Sequence, residues 1–179
     1  GFDDAAGNSY TGINDATTLN FTAADVAGPT LSSSTPADDA TGVAVDANIV
    51  LTFNENVVAG TGNITLKKSS DNSTVEAMAV GGANIAISGT TVTVNPSADL
   101  DSSQGYYLQI AASAFDDASG NSYAGINDTT TLSFTAADVV GPTMVITSTT
   151  SGVSSGAATN DSTINLTFTA NEAATGFVV

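Results

Sequence analysis

Residues 49–53 read Ile-Val-Leu-Thr-Phe, and this stretch decides the fold because its side chains alternate in a strand-like pattern. A period of two places Ile49, Leu51 and Phe53 on one face of a β-strand. Gly, Asn, Asp or Pro separates this strand from most of the further runs that follow. The other inward-facing residues predicted in this way are Ile64, Leu66, Val75, Ala77, Ala79, Ile85, Ile87, Val92, Val94, Tyr106, Leu108, Ile110, Leu132 and Phe134.

The number and spacing of these strands predict the fold class. About seven short strands in about 100 residues, separated by turn residues, are typical of an antiparallel immunoglobulin-like β-sandwich. Tyr106 begins a late strand and follows Leu100, which is the position of a tyrosine corner. Its neighbour Tyr107 is the alternative for that role. We therefore predict an all-β protein with immunoglobulin-like sandwich architecture.

An internal repeat sets the domain organisation. Residues 2–30 read FDDAAGNSYTGINDATTLNFTAADVAGPT, and residues 115–143 read FDDASGNSYAGINDTTTLSFTAADVVGPT. The offset is 115 − 2 = 113 residues. Near-identity over such a stretch, loops included, indicates duplication. Each copy ends in Gly-Pro-Thr, where proline fixes φ and suits a stiff boundary between domains.

The repeat predicts domains in tandem. Residues 28–140 form one complete immunoglobulin-like repeat, and residues 1–27 are the C-terminal part of a preceding repeat. Residues 141–179 are the N-terminal part of a following, divergent domain, in which residues 164–168 are expected to stand where Ile49–Phe53 stood. The near-identical strands at 16–23 and 129–136 also predict mispairing between units during folding.

Composition narrows the functional classes. The 179 residues include 2 basic and 18 acidic ones, for a net charge of −16, which disfavours nucleic acid and anionic membrane surfaces as partners. No spanning segment is visible, so we predict no membrane insertion in this segment. With no histidine or cysteine, the chain cannot form a Ser-His-Asp or Cys-His site or a histidine zinc site. The carboxylates of Asp116 and Asp117 lack an apolar pocket for glycoside hydrolysis. We predict that the protein is not an enzyme.

Four segments carry a resemblance to a known family. Residues 36–43 (PADDATGV), 49–55 (IVLTFNE), 100–107 (LDSSQGYY) and 117–121 (DASGN) resemble the bacterial immunoglobulin-like domain of S-layer proteins and giant surface adhesins. The resemblance implies an extracellular spacer, or stalk module, of a long adhesin or fibre at the bacterial cell surface. Its partners would be neighbouring repeats of the same chain, with possible lateral self-association. The alternatives are a self-assembling S-layer or matrix filament, and a calcium-dependent glycan- or protein-binding module.

Acidic loops suggest a metal. Calcium prefers six to eight oxygen ligands, and flexible loops rich in Asp and Asn supply them. We expect the loop from Phe115 to Asp128 to lie with Asp138 near the junction with the next unit, where calcium would stiffen the joint. The alternative is that these residues only form turns. The candidate ligands are Asp116, Asp117, Asn121, Asn127, Asp128 and Asp138, and in the first copy Asp3, Asp4, Asn8, Asn14, Asp15 and Asp25. Asp38, Asp39 and Asp46 form a second, weaker candidate cluster.

Overall fold

The computed structural model describes residues 1–176, and its architecture is all-β, as predicted. One sheet has the order β1-β3-β8-β7 and a second has the order β2-β11-β9-β5-β6, while β4 pairs with β10 and β12 pairs with β13. The strands are β1 (Leu31–Thr35), β2 (Ala40–Val43), β3 (Ile49–Phe53), β4 (Val58–Ala59), β5 (Asn63–Lys68), β6 (Thr74–Ala79), β7 (Ile85–Ser88), β8 (Thr91–Val94), β9 (Gly105–Ile110), β10 (Phe115–Asp116), β11 (Ser133–Ala136), β12 (Met144–Ser148) and β13 (Leu166–Ala170).

The strands pair antiparallel with one exception in the described part of the chain. β11 lies parallel to β2, and its register shifts between Phe134 and Ala136. The exception arises because the chain leaves β1 in one sheet and joins the edge of the other sheet as β2, through a turn that contains the cis peptide Thr35–Pro36. The predicted antiparallel pairing therefore does not hold at this edge.

The core lies between the two sheets. Alternate residues of β3, β5, β8 and β9 point inward and are buried, which confirms the period-two interpretation for these strands. Phe53, Phe115 and Tyr123 form an aromatic cluster at one end, with centroids of Phe53 and Phe115 5.2 Å apart. The largest fully buried side chains are Tyr106, Tyr107, Phe115, Ile49, Leu51, Ile64, Leu66, Leu108, Ile110, Leu132, Val92 and Val94.

β6 presents the opposite face from the one predicted. Val75 is 45 % exposed, whereas Met78 is only 3 % exposed. Met78 pairs with the buried Ile64 of β5, and the pairing register shifts between Leu66 and Lys67. Because directly paired residues lie on the same face of a sheet, the partner strand decides which residues of β6 point inward. The predicted inward positions Val75, Ala77 and Ala79 were wrong.

Tyr106 forms the predicted tyrosine corner. Its hydroxyl oxygen accepts a hydrogen bond of 2.8 Å from the backbone N–H of Asp101, five residues upstream, and its ring stacks on Phe134. Burial raises the pKa of Tyr106. Tyr107 lies on the other face of β9, where its hydroxyl bonds the Asn72 side chain at 3.1 Å. The corner thus joins the β9 strand to the loop that precedes it.

The segments outside the sandwich are more exposed. Residues 1–27 contain one isolated bridge, between Asp3 and Ser9. β12 and β13 form a two-stranded ribbon whose apolar side chains are largely exposed. In the part of the chain that the structure describes, no helix is long and apolar enough to cross a membrane. The last three residues of the predicted segment 141–179 lie outside the described residues.

The ribbon corrects the predicted correspondence between residues 164–168 and Ile49–Phe53. Leu31 pairs with Phe53 at the start of β1, and Met144 pairs with Ala170 at the start of β12. Ala170 therefore takes the place of Phe53, so that β13, and not residues 164–168, corresponds to β3. The prediction was wrong by two residues, because a shift of two keeps the same alternation and pattern alone cannot detect it.

Candidate functional site

The two ends of the sandwich differ in which flanking segment they contact. We call the end where β9 finishes, at Ile110, the proximal end, and the end where β9 begins, at Gly105, the distal end. β1 starts at the proximal end, since Leu31 pairs with Phe53 beside the aromatic cluster. β11 finishes at the distal end, where Thr135 pairs with Gly105.

The proximal end holds the segment that leads into β1. The Asn121 side-chain amide donates a hydrogen bond to the backbone carbonyl oxygen of Asp25 at 3.2 Å. Gly28 packs so tightly on the backbone of Ser122 that an added Cβ would overlap the Ser122 carbonyl oxygen. Glycine is therefore required here by close approach of two backbones. The loop around Asn121 and Ser122 thus holds residues 25–28, which lead into β1.

An asparagine clamp then fixes the start of β1. The Asn54 side-chain oxygen accepts from the backbone N–H of Thr30 at 2.6 Å, and the Asn54 N–H donates to the Thr30 carbonyl at 3.0 Å. The same pair of bonds joins Asn171 and Thr143, at 2.7 and 3.1 Å. The structure therefore repeats this clamp at both Gly-Pro-Thr sequences.

Asp117 anchors the proximal loop. Its side chain is only 4 % exposed. One carboxylate oxygen accepts the backbone N–H groups of Ser119 and Asn121, and the other accepts the Asn121 side-chain amide. These hydrogen bonds, the one from the Asn121 side chain foremost, stabilise the charged form and lower the pKa of Asp117 against the opposing effect of burial. The loop is thereby held in the conformation that grips residues 25–28.

Three carboxylates meet at this end. Asp25, Glu55 and Asp117 each place an oxygen within 4.8 Å of the others, and this is the one such acidic group among residues 1–176. Their mutual repulsion favours any cation that can bridge them, and carboxylate oxygens suit calcium. The structure brings together Asp25, Asp117 and Asn121 of the predicted ligand set. Calcium binding itself stays a prediction.

Glu55 was missed by the sequence analysis. It follows β3, sixty-two residues before Asp117, and belongs to no acidic run (117 − 55 = 62). A signal for it exists in the sequence, because Asn54-Glu55 recurs as Asn171-Glu172 after the corresponding strand β13. The recurrence matches the repeated asparagine clamp. It would have predicted a glutamate directly after each clamp asparagine, Asn54 and Asn171.

Asp138 lies at the distal end, so the expectation that it shares one junction with the loop from Phe115 to Asp128 was wrong. Its carboxylate accepts from the Ser102 hydroxyl at 3.0 Å, and the Ser102 oxygen accepts from the backbone N–H of Val139 at 2.9 Å. A hydrogen bond from the Val140 N–H, followed by that from Ser102, lowers the pKa of Asp138. The two groups separate because β11 lies between them in the chain and carries it to the distal end, where Thr135 pairs with Gly105.

The remaining predicted ligands of the loop from Phe115 to Asp128 make other hydrogen bonds. The Asp116 carboxylate accepts from the Ser122 hydroxyl at 2.6 Å, and the backbone carbonyl of Asn127 accepts from the Gln109 side chain of β9 at 2.8 Å. Asp128 accepts from the backbone and side chain of Thr130 and Thr131, which lowers its pKa to about 2.

The first copy forms similar turns by itself. Asp4 accepts from Asn8, and Asp15 accepts from Thr17 and Thr18, and both Asp pKa values are lowered by these bonds. Asp3, Asn8 and Asn14 lie in the same exposed segment. In the second candidate cluster, Asp38 and Asp39 both bond the Ser133 hydroxyl, while Asp46 lies in the turn between β2 and β3.

Comparison with known proteins identifies the family. Residues 25–136 match the bacterial Ig-like domain family, which is more than half of the chain. The chain belongs to the bacterial Ig-like domain family. This confirms the resemblance seen in the sequence. The match begins at Asp25, so it includes the segment that the proximal loop grips.

Several solved structures are similar to part of this chain. CopC from Methylosinus trichosporium OB3b is 15 % identical with a TM-score of 0.43, over 63 % of this chain and 97 % of that one. The N-terminal part of the bacterial S-layer protein SbsC is 18 % identical with a TM-score of 0.42, over 67 % of this chain and 26 % of that one. The S-layer protein rSbsC(31-844) is 17 % identical with a TM-score of 0.41, over 68 % and 15 %. No curated protein sequence matches the chain.

Proposed function

We propose that this bacterial Ig-like domain is a structural spacer in a long, extracellular protein of the bacterial cell surface, where such units follow one another along a stalk or fibre. One observation carries the proposal. The chain enters the sandwich at the proximal end and leaves it at the distal end, so that consecutive units would extend end to end. A domain with both ends at one side would instead fold back on its neighbour.

Polar contacts at both ends support a stiff stalk. The proximal loop holds the incoming segment through Asn121 and the close contact at Gly28. The outgoing segment is tied to the distal end through Ser102, which bonds both Asp138 and the Val139 N–H. Each of these contacts restricts the backbone conformation of the residues that join two units. Stability in such an array is the sum of the units and their interfaces.

The same contacts argue against a catalytic role in the proposal. Asp117 at the proximal end and Asp138 at the distal end accept hydrogen bonds from backbone N–H groups, and the pKa of each of these two carboxyls is lowered. A general acid needs a carboxyl with a raised pKa. In this proposal the partners of the domain are neighbouring units of the same chain, and its location is outside the cell.

Tandem chains test the proposal. Proteins with one, two and four copies of residues 28–140 should gain a constant increment in maximum dimension per copy in small-angle X-ray scattering. A matched series, in which Gly and Ser replace residues 137–140 of one copy and residues 28–30 of the next at every junction, should grow more slowly, roughly with the square root of copy number for flexibly linked units. Identical growth of the two series would refute the stiff stalk. Sheets or lateral filaments in electron micrographs would favour the S-layer-like alternative.

A further inference from the structure

An early strand of the sandwich, β2, pairs side by side with its last strand, β11. β11 runs toward the distal end, and β2 lies parallel to it at the edge of the same sheet. The chain reaches β2 directly from β1, which starts at the proximal end. It leaves the sandwich directly after β11. The strands close to the incoming and to the outgoing chain are therefore paired with each other.

Tension along a stalk would load this pair in shear. The incoming chain would pull β2 toward the proximal end through β1, and the outgoing chain would pull β11 toward the distal end. The hydrogen bonds of a parallel pair run across the strands, so a load along the strands acts on all of them at once. A pair that is pulled apart from one end instead loses its bonds one after another, which requires less force.

β1 offers less resistance than β2, because few of its side chains reach the core. Ser32, Ser33 and Thr35 are exposed, and Leu31 and Ser34 are half-buried. The register of β1 on β3 also shifts between Leu31 and Ser33. When β1 separates from β3, the load passes to β2. In the described part of the chain, β11 is the one strand that pairs with β2.

Ser133 joins β11 to the turn that precedes β2. Its backbone N–H donates to the Asp38 carboxylate at 2.9 Å, and its hydroxyl lies 3.2 Å from the same Asp38 oxygen and 3.0 Å from an Asp39 carboxylate oxygen. The Asp39 N–H donates to the Ser133 carbonyl oxygen at 2.8 Å. At the other end of the pair, the Ala137 N–H donates to the Val43 carbonyl oxygen at 2.7 Å. Hydrogen bonds to charged acceptors are the stronger ones, so the contacts at Ser133 reinforce the backbone pairing.

We propose that the β2–β11 pair, held by Ser133 on Asp38 and Asp39, is the tension-bearing element of the unit. The inference rests on the proposed stalk function, because a stalk transmits pulling forces along its length. It gives the unit a mechanical task, which is to resist unfolding when it is pulled end to end. It also assigns Asp38 and Asp39 a role that needs no metal.

Single-molecule force spectroscopy on the full chain tests the proposal. The sequence has no cysteine, so one cysteine added at each end attaches the chain to the pulling handles. Forced unfolding is governed by the unfolding rate, and the lifetime of the folded unit at constant force measures that rate. Ser133→Ala removes the hydroxyl that lies between the two carboxylates. It should shorten this lifetime about three- to tenfold.

Ser97→Ala is the matched control. Ser97 also donates its N–H and its hydroxyl to one carboxylate, that of Glu76, at 2.9 and 2.6 Å. This contact joins β6 to the segment after β8, away from β2 and β11. Both variants should lose similar stability in urea, and only Ser133→Ala should shorten the lifetime under end-to-end load. Equal shortening in both variants, or no shortening in either, would overturn the proposal.

The direction of pulling provides a second measurement, which leaves the contacts of Ser133 intact. Asp46→Cys and Val139→Cys place the handles on exposed residues that follow the distal ends of β2 and β11. Pulling from these two positions should peel the pair and unfold the unit at a lower force than end-to-end pulling. Equal forces in the two geometries would overturn the shear mechanism. Either failure would leave the stalk proposal to the scattering experiment, which measures how units are linked and not how strongly one unit resists force.

Discussion

The tyrosine corner offers a sharp test of how the sandwich is stabilised. Tyr106→Phe removes one oxygen from a side chain that is almost fully buried, and keeps the ring that stacks on Phe134. The change therefore isolates the bond between the Tyr106 hydroxyl and the Asp101 N–H. Tyr107→Phe is the matched control, because its neighbouring hydroxyl bonds a side chain, that of Asn72, and not the backbone.

The expected loss follows from the partner that is left behind. A net hydrogen bond contributes about 0.5–1.5 kcal/mol, and a buried donor left unsatisfied costs about 1–3 kcal/mol. Asp101 lies in an exposed loop, so water can partly satisfy its N–H. We expect Tyr106→Phe to cost about 1–1.5 kcal/mol. Average unfolding entropies over the 113-residue repeat convert this to a fall in Tm of about 4–6 °C.

Urea and thermal unfolding, followed by circular dichroism at neutral pH, measure both variants. Tyr107→Phe should lose less stability than Tyr106→Phe, because a rotating amide side chain finds water more easily than a backbone N–H does. The reasoning is refuted if Tyr106→Phe melts within about 1 °C of the parent protein, or if Tyr107→Phe costs as much.

Four further predictions address the core, the proximal end, the acidic turns and calcium. Met78→Ala should cost about 2–4 kcal/mol in urea unfolding because it opens a cavity, whereas Val75→Ala should stay within about 0.5 kcal/mol. The reverse order would mean that Val75, and not Met78, faces the core. Gly28→Ala should cost about 1–3 kcal/mol through its overlap with a backbone carbonyl, while Gly141→Ala, with open space around its Cβ, should cost less than about 0.5 kcal/mol; equal urea midpoints would contradict the close contact. The folded-state pKa of Asp128, about 2, is below its unfolded value of about 3.9, so the stabilisation that Asp128 contributes is present above about pH 4 and is lost as pH falls through about 2. The urea midpoint of Asp128→Asn should therefore fall less steeply than that of the parent protein as pH is lowered over this range. Parallel curves for the two proteins would argue against this role of Asp128. The protein should melt several degrees higher in calcium than in excess chelator if a cation bridges the proximal carboxylates, and coincident melts would leave those carboxylates as turn residues alone.

Local sequence patterns predicted much of the fold. The alternation at Ile49, Leu51 and Phe53 identified the core face of β3, because side chains in a strand point to opposite faces with a period of two. Tyr106 was assigned to the corner from its place at the start of a strand, and its bond to Asp101 confirms that assignment. Both inferences depend on residues close together in the chain.

The errors arose where a distant partner decides the outcome. The face of β6 follows its pairing with β5, which places Met78 inward despite a regular pattern that favoured Val75. The alignment of the final segment was wrong by two residues, since the clamp of Asn171 on Thr143, and not the alternation, sets its register. Neither pairing can be read from one strand alone.

The sequence by itself determined the all-β class, the 113-residue repeat, the turn chemistry of the Asp-rich loops and the absence of any histidine or cysteine chemistry, because these depend on residue types and short-range spacing. Only the tertiary structure decided which acidic side chains meet. It brought Glu55 to Asp25 and Asp117, and it placed Asp138 at the opposite end of β9. The physical reason is that a sandwich joins strands far apart in sequence, while a short strand separates loops that are close in sequence.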